Sequence, residues 1–264
     1  MPDLAIARPT AAATGRAGRP RALLYLDNVT VSFDGFKALD GLSLIVDEGE
    51  LRTVIGPNGA GKTTFLDVVT GKSKPDNGIV FFKDTHDLTR LDEATIANLG
   101  IGRKFQKPTV FDNLTVAENL ELARKARRGI LRMLLAPASA PPSELMEAAV
   151  ETIGLAGRRE TVAGTLSHGQ KQWLEIGMLL VQDQELLLLD EPVAGMTDSE
   201  REQTAALIRG IAGERTVVVV EHDMQFVRSL EGRVTVLHEG RMLMEGSMDA
   251  VESNATVADV YLGR

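Results

Sequence analysis

The sequence contains no cysteine, few aromatic residues and no long apolar run. Without cysteine, disulfide bonds and thiolate metal sites are excluded, and the four scattered histidines argue against a structural zinc site. Because no apolar stretch reaches the length of about 18 residues that a membrane helix requires, any membrane association is expected to be peripheral. The 264 residues, 44% of them hydrophobic, are enough for one large domain or two small ones.

Positive charge is also scarce, since 29 lysines and arginines stand against 37 acidic residues and give a formal net charge of -8. Proteins that hold nucleic acid through a broad basic surface show the opposite balance. Aromatic residues make up 4% of the chain, too few for the platforms on which single-stranded bases stack. We therefore expect no nucleic-acid partner.

The two ends of the chain differ in composition. Residues 1–22, "MPDLAIARPTAAATGRAGRPRA", are rich in alanine, proline, glycine and arginine without periodicity, and predict a disordered tail. An organelle transit peptide has a similar composition and is the less favoured alternative. Residues 23–264 are predicted to form the folded domain.

The strand patterns predict an α/β fold. Three short patterns, "LLYLDNVTVSF", "ALDGLSLIV" and "ELRTVI", are separated by Asp-Gly and Glu-Gly turns and predict an antiparallel sheet. Two later runs, "ELLLLDEP" and "TVVVVEHD", are continuously apolar, which is typical of parallel strands buried on both faces. The stretch "RVTVLHEGRMLMEG" predicts a hairpin. We expect a mixed sheet flanked by helices.

The range from about 90 to 165 predicts a helical subdomain inserted into this α/β core. Thr115 and Glu118 have the spacing of a capping box, in which each side chain satisfies a free backbone N–H at a helix start. A second helix is expected from Glu144 to about Ile153, after the loop "APASAPPS".

The stretch "LSHGQKQWLEIGMLL" begins just after that range and predicts another capped helix. Ser167 and Gln170 again have capping-box spacing. Trp173, Ile176 and Leu180 fall on one helical face, which we expect to be buried.

The sequence "GPNGAGKT" fits the phosphate-binding pattern G-x-x-x-x-G-K-[ST], with a predicted strand before it and a helix after it. In such a loop, glycines let backbone N–H groups surround phosphate oxygens, and the helix N-terminus adds positive potential. The lysine reaches the terminal phosphates and the threonine hydroxyl ligates Mg²⁺. The predicted nucleotide-binding residues here are Gly56, Pro57, Asn58, Gly59, Ala60, Gly61, Lys62, Thr63 and Thr64.

Acidic residues follow the two buried strand patterns. Asp190 ends "LLLLD", where open α/β sheets place their ligand sites, and this position suits a carboxylate directed at Mg²⁺. Glu191 points differently and is predicted to polarise the attacking water, so the pair divides metal binding from general-base work. His222 lies at the same sheet edge, in reach of a terminal phosphate or of the water. Gln106 follows a short strand-like segment and is a candidate for the Mg²⁺ shell or the water.

Together these motifs resemble the ATP-binding cassette ATPases of ABC transporters. The phosphate loop, "FQ", "LSHGQ", "LLLLDEP" and "VEHD" occur in the order and approximate spacing of that family, and the resemblance covers about residues 23–264. It implies a P-loop core with a mixed sheet, an antiparallel β subdomain and an inserted helical subdomain, with ATP and Mg²⁺ as ligands. It also implies that Phe33 stacks on adenine, with Phe36 as the competing candidate.

The resemblance gives the "LSHGQ" stretch a second role. In such cassettes this signature faces the γ-phosphate of ATP bound to a second subunit, so Ser167, Gly169 and Gln170 are expected to complete a nucleotide site in trans. Free N–H groups at a helix start favour an anion, which supports that role. Capping and phosphate binding are compatible if Ser167 turns to phosphate when the dimer closes.

Two positions depart from the usual family pattern. His168 stands where the signature usually has a small residue, and Thr197 stands where an aspartate usually couples the two nucleotide sites, with Asp198 next to it. These departures affect the expected contact between sites. The residues predicted for phosphate, metal and base are all present.

Within the family, "DEPVAGM", the "LSHGQKQWLEIGMLL" helix and "VYLGR" look like the ATPases of branched-chain amino-acid importers, especially the urea-type branch. Such importers imply a second ATPase subunit, either identical or a paralogue, together with two membrane permeases and an extracytoplasmic binding protein. The chain would then be peripheral at the cytoplasmic side of the inner membrane. The loop from Gly129 to Ser143 is either a permease contact or a mobile surface loop.

Two other cassette functions share these motifs. A cassette for lipid or lipopolysaccharide movement has every one of them. A cassette acting on nucleic acid or ribosomes usually carries two cassettes or a long coiled coil, whereas this chain has one cassette and no sustained heptads.

Overall fold

A computed structural model describes residues 21–104, 109–127 and 144–262. Most of the predicted N-terminal tail, Gln106 and the loop from Gly129 to Ser143 therefore lie outside the described residues. Within the described ranges, no helix has both the length and the apolar character needed to cross a membrane.

The first strands of the chain build a four-stranded sheet, in the order β2-β1-β4-β5 with every pairing antiparallel. The predicted Asp34-Gly35 turn joins the first two strands, and both of its residues have positive φ. This sheet consists of β1 (Ala22–Phe33), β2 (Phe36–Asp47), β4 (Asn77–Phe82) and β5 (His86–Asp87).

A six-stranded sheet forms the centre of the molecule, in the order β10-β9-β3-β8-β7-β6. Only the terminal hairpin pairs antiparallel, so the predicted mixed sheet and the predicted hairpin are confirmed. Its strands are β3 (Leu51–Ile55), β6 (Ile101–Lys104), β7 (Leu186–Asp190), β8 (Thr216–Val220), β9 (Arg233–His238) and β10 (Arg241–Gly246).

The expectation that the third strand belongs to the antiparallel sheet is wrong. Strand β3 lies between β8 and β9 and pairs in parallel with both, with Val54 opposite Val220. Its residues 52–55 are all buried, which is the burial of a central parallel strand. The Glu48-Gly49 turn therefore sends the chain from one sheet into the other.

The helices cover both faces of the central sheet. Residues 101–104, inside the range predicted to be helical, form strand β6, and the described residues between β6 and the signature stretch contain two α-helices. The helices are α1 (Lys62–Val69), α2 (Glu93–Leu99), α3 (Val116–Arg127), α4 (Glu144–Thr152), α5 (His168–Val181), α6 (Asp198–Ile211), α7 (Met224–Leu230), α8 (Met248–Glu252) and α9 (Ala255–Leu262).

The predicted capping boxes and the predicted buried face are confirmed. The Thr115 N–H donates to Glu118 at 2.7 Å and the Glu118 N–H donates to the Thr115 hydroxyl at 3.2 Å, before and within α3. Ser167 caps α5 in the same way with Gln170. The α5 face that carries the only tryptophan is at most 9% exposed, at Trp173, Ile176 and Leu180.

Two hydrophobic cores lie on opposite faces of the central sheet. Successive side chains of a strand point to opposite faces, and in β7 Leu187 and Leu189 join one core while Leu186 and Leu188 join the other. The first core includes residues of α3, α4, α5 and α6, and the second includes residues of α1 and of the antiparallel sheet. The phosphate-loop helix α1 and the signature helix α5 therefore pack on different faces of the same sheet.

Candidate active site

The phosphate-loop sequence joins β3 to α1 through backbone that only glycine accommodates. Gly56 has φ 155° and a Cβ there would lie 2.3 Å from the carbonyl oxygen of Leu237. Gly61 caps α1 with φ 99°, and its Cβ would lie 2.5 Å from the carbonyl oxygen of Ala38. Both glycines allow the loop to pass close to neighbouring backbone.

Lys62 is the first residue of α1, and its ammonium group is folded over the loop. It donates to the carbonyl oxygens of Gly56 at 2.7 Å and Pro57 at 3.0 Å. Burial lowers the pKa of Lys62, while the nearby carboxylates of Glu191 and Asp190 raise it. Thr63 follows and is exposed, so its hydroxyl is open to a ligand.

The carboxylate of Asp190 lies at the carboxyl end of β7, as expected from the sequence, and is paired with a buried arginine. Its Oδ2 is 2.9 Å from Nη2 of Arg103, which belongs to the neighbouring strand β6. The same guanidinium pairs with the carboxylate of Asp67 on α1. Arg103 thus ties β7 to the helix that follows the phosphate loop.

Removing this arginine is expected to destabilise the fold. An Arg103→Met variant leaves the largely buried carboxylates of Asp190 and Asp67 without this cation, and the loss of one partner of a buried pair costs about 3 kcal/mol in the free energy of unfolding. Urea denaturation of the purified chain measures the cost. The cost should be smaller in an Asp190→Asn background, and a variant as stable as the parent would contradict this assignment.

Glu191 and His222 approach each other at this sheet edge. His222 Nδ1 lies 3.6 Å from Glu191 Oε1, and the histidine ring is exposed. Glu191 has a positive φ of 45°, which is uncommon for a residue with a side chain, and its N–H donates to the carbonyl oxygen of Val220 at 2.9 Å. The backbone turn directs Glu191 differently from Asp190, which ends the strand.

The signature residues lie at the start of α5. The Ser167 hydroxyl accepts from the N–H of Gln170 at 3.2 Å and donates to Glu200 Oε1 at 2.9 Å. Backbone and side-chain hydrogen bonds from Thr197 and Ser167 lower the pKa of Glu200. Gly169 is buried against the same carboxylate, since an added Cβ would lie 2.6 Å from Glu200.

The two unusual positions both have structural partners. Thr197 caps α6 in a capping box with Glu200. The His168 Nε2 lies 3.1 Å from the carbonyl oxygen of Ala194. His168 therefore fastens the signature to the segment that follows Asp190 and Glu191.

The two adenine-stacking candidates face each other across the β1–β2 hairpin. Phe33 is 51% exposed and Phe36 is 64% exposed, and they are register partners. Both rings are exposed to solvent, so their exposure does not show which of them stacks on adenine.

Sequence reasoning missed a set of buried charged residues around these positions. They are Arg103, Lys104, Glu175 and Glu221. Burial raises the pKa of Glu221, whose Oε2 accepts the N–H of His222 at 2.8 Å and so orients the histidine backbone. The available signal was a charged residue next to or inside an apolar run, as in "IGRK", "WLEIG" and "VVVVE".

Comparison with known proteins gives one consistent result. The ABC transporter family model matches residues 39–194. The chain is 34% identical to the high-affinity branched-chain amino acid transport ATP-binding protein BraF of Pseudomonas aeruginosa, over 92% of this chain and 98% of that protein.

Solved structures give the same fold. The ADP conformation of an ATP-binding cassette of an ABC transporter has a TM-score of 0.80 and 31% identity, over 92% of this chain and 99% of that one. A dimeric structure of a bacterial ABC transporter cassette has a TM-score of 0.70 and 27% identity, over 85% of this chain and 98% of that one. The chain belongs to the ABC transporter family and is one of its ATP-binding ATPase subunits.

Proposed function

We propose that this chain hydrolyses ATP to drive an importer of branched-chain amino acids. The observation that carries this proposal is the 34% identity with a branched-chain amino acid transport ATP-binding protein over 92% of the chain. Urea is the alternative cargo, suggested by the sequence stretches "DEPVAGM" and "VYLGR".

The phosphate loop binds ATP through backbone N–H groups at the start of α1 and through Lys62. The ammonium group now donates to two loop carbonyls. Phosphate oxygens are stronger, charged acceptors, so Lys62 turns from the carbonyls to the terminal phosphates when ATP binds. Either Phe33 or Phe36 stacks on the adenine ring.

The Thr63 hydroxyl and the Asp190 carboxylate would hold Mg²⁺, together with Gln106. Hydroxyl and carboxylate oxygens are the donors that this ion takes up, and the described residues supply one of each: the exposed Thr63 hydroxyl and the Asp190 carboxylate at the end of β7. When bound, Mg²⁺ neutralises charge on the phosphate oxygens.

Glu191 acts as the general base. It takes a proton from the attacking water as the water oxygen bonds to the γ-phosphorus and the bond to ADP breaks. His222, 3.6 Å from Glu191, contacts the water or the terminal phosphate. The products are ADP and phosphate.

A second cassette completes each nucleotide site. Ser167, Gly169 and Gln170 meet the γ-phosphate of ATP held by the partner subunit, and Ser167 must then exchange its bond to Glu200 for the phosphate. Two interfacial ATP molecules shift the population toward the closed dimer, and hydrolysis removes the ligand that holds it closed. At the cytoplasmic side of the inner membrane, this cycle would move two permease subunits that receive cargo from an extracytoplasmic binding protein.

The cargo is tested by uptake in the host cell. Replacing the native gene by a Lys62→Ala variant should reduce uptake of radiolabelled leucine to the level of a gene deletion, because the phosphates lose their main cation. Urea uptake should not change. A Glu239→Gln variant, altered in the β9–β10 turn, is the control and should transport normally. Loss of urea uptake with normal leucine uptake would replace the proposed cargo by urea.

A further inference from the structure

A buried pair of opposite charges joins the end of β6 to the middle of α5. Lys104, the last residue of β6, is 2% exposed, and Glu175 in α5 is 4% exposed. The ammonium nitrogen lies 3.8 Å from Glu175 Oε2. The mechanism proposed above uses neither side chain.

The other oxygen of the same carboxylate holds Thr109. Glu175 Oε1 accepts the Thr109 N–H at 2.6 Å and the Thr109 hydroxyl at 2.7 Å. Lys104 and Thr109 stand on the two sides of residues 105–108. A single side chain of the signature helix therefore contacts the chain both before and after that segment.

A contribution to the free energy of unfolding does not by itself explain why this ion pair is buried. Burial lowers the pKa of Lys104 because desolvation disfavours the ammonium ion, and Glu175 opposes that shift. A buried ion pair is generally no more stabilising than apolar side chains of the same size. The pair is better explained by the relative orientation of β6 and α5, which it holds in place.

The charged residues at the end of β6 make ion pairs on both faces of the central sheet. Consecutive strand residues point to opposite faces, and Arg103 pairs with Asp190 on one face while Lys104 pairs with Glu175 on the other. Two adjacent residues of β6 thus connect the proposed metal carboxylate to α5. The first turn of that helix carries Ser167.

We infer that Lys104 and Glu175 are positioning residues for ATP hydrolysis, which set the orientation of α5 and its signature relative to the sheet edge that carries Asp190 and Glu191. They act through α5 and do not contact nucleotide. The inference rests on the proposed function, because the orientation of Ser167 matters only if it meets ATP in a dimer. Displacing reacting groups by about 1 Å can lower a rate by about a hundredfold.

A Lys104→Met/Glu175→Gln double variant tests this role. Methionine retains much of the lysine stem, and the glutamine carbonyl still accepts from Thr109, so both charges disappear with little change in volume. Joint replacement of a buried pair is nearly neutral for stability, and we expect thermal unfolding close to that of the parent. ATP affinity of the dilute single subunit should also be unchanged, because the phosphate loop is intact.

Dimerisation and turnover should change instead. We expect kcat to fall about tenfold through misplacement of the signature. In a Glu191→Gln background, ATP-driven dimerisation measured by analytical ultracentrifugation should need about ten times more protein. Lys104→Arg retains the charge and should keep most of the turnover.

A buried cation elsewhere provides the control. Arg52 is fully buried and pairs with both Glu50 and Glu245, so it ties the start of β3 to β10. An Arg52→Met/Glu50→Gln/Glu245→Gln variant removes this cation together with both carboxylates, at the end of β3 that lies away from the phosphate loop. Its dimerisation and kcat should stay within about twofold of the parent, since distant sites act independently.

Three other results are conceivable, and each contradicts one of these statements. If Lys104→Met/Glu175→Gln dimerises and turns over like the parent, the pair does not position the signature, although the chain is still an ATPase. If the double variant loses stability or single-subunit ATP affinity along with activity, the pair is structural and the inference is wrong. If the parent neither hydrolyses ATP nor dimerises with it, the proposed function fails, and the inference fails with it.

Discussion

A Glu191→Gln variant is expected to lose at least about a hundredfold in kcat for ATP hydrolysis while binding ATP as tightly as the parent. Glutamine cannot accept the proton of the attacking water, whereas the loop that holds the phosphates is unaltered. Because ATP then persists at the interface, the variant should accumulate as an ATP-bound dimer. Phosphate release measures the turnover, and size-exclusion chromatography with and without ATP measures the dimer.

The matched control is Glu239→Gln. Glu239 also has a positive φ, of 49°, and it lies in the turn between β9 and β10. The same substitution in the same backbone conformation should leave turnover unchanged. Normal turnover by Glu191→Gln would assign the base to another group, and His222 is the nearest candidate at 3.6 Å.

The second large effect is the recovery of activity on mixing two inactive chains. A Lys62→Ala chain lacks the phosphate cation and a Ser167→Arg chain lacks a working signature, so neither should hydrolyse ATP alone. A mixed dimer has one site with the intact lysine of one chain and the intact serine of the other. Equal mixing should restore up to about a quarter of parental activity, since about half of the dimers are mixed and each has one intact site.

The fold supplies the reason for this arrangement. Helix α1, which starts at Lys62, packs into one core of the central sheet, and α5, capped by Ser167, packs into the other. In the proposed dimer, a second chain would bring its signature to the phosphate loop of the first. The exposed position of Ser167 leaves the start of α5 accessible to that partner.

A reciprocal mixture provides the control. The Lys62→Ala/Ser167→Arg double variant mixed with the parent also forms mixed dimers, but each composite site then contains one altered residue. If the sites form in trans, these dimers are inactive, whereas a site formed within one chain would remain active in the parental half. Parental homodimers supply about a quarter of the full activity in either case, so activity of about half in this mixture, without recovery in the first mixture, would contradict the role of the signature in trans.

The sequence correctly predicted the helix caps and the buried strands, because these features depend on residues that lie close together in the chain. The capping boxes at Thr115 and Ser167 form because the partner of each cap lies three positions along the chain. Strands β7 and β8 were recognisable because a run of apolar residues has to be buried on both faces.

Strand pairing was less predictable. Strand β3 follows β1 and β2 after a short turn, yet it pairs with β8 and β9, which come much later in the chain. The neighbours of a short strand depend on which faces are covered by other elements, and no local pattern contains that information. The same holds for β6, whose partner β7 is also distant in sequence.

By itself, the sequence determined the family and identified the candidate phosphate loop and the candidate base, because those functions need particular residue types at fixed short spacings. Only the tertiary structure decided which buried charges meet: Arg103 with Asp190, and Lys104 with Glu175. Each of these contacts joins elements far apart in the chain. Their geometry depends on how sheet and helices pack, since burial forces a charged side chain to find whichever partner that packing brings near.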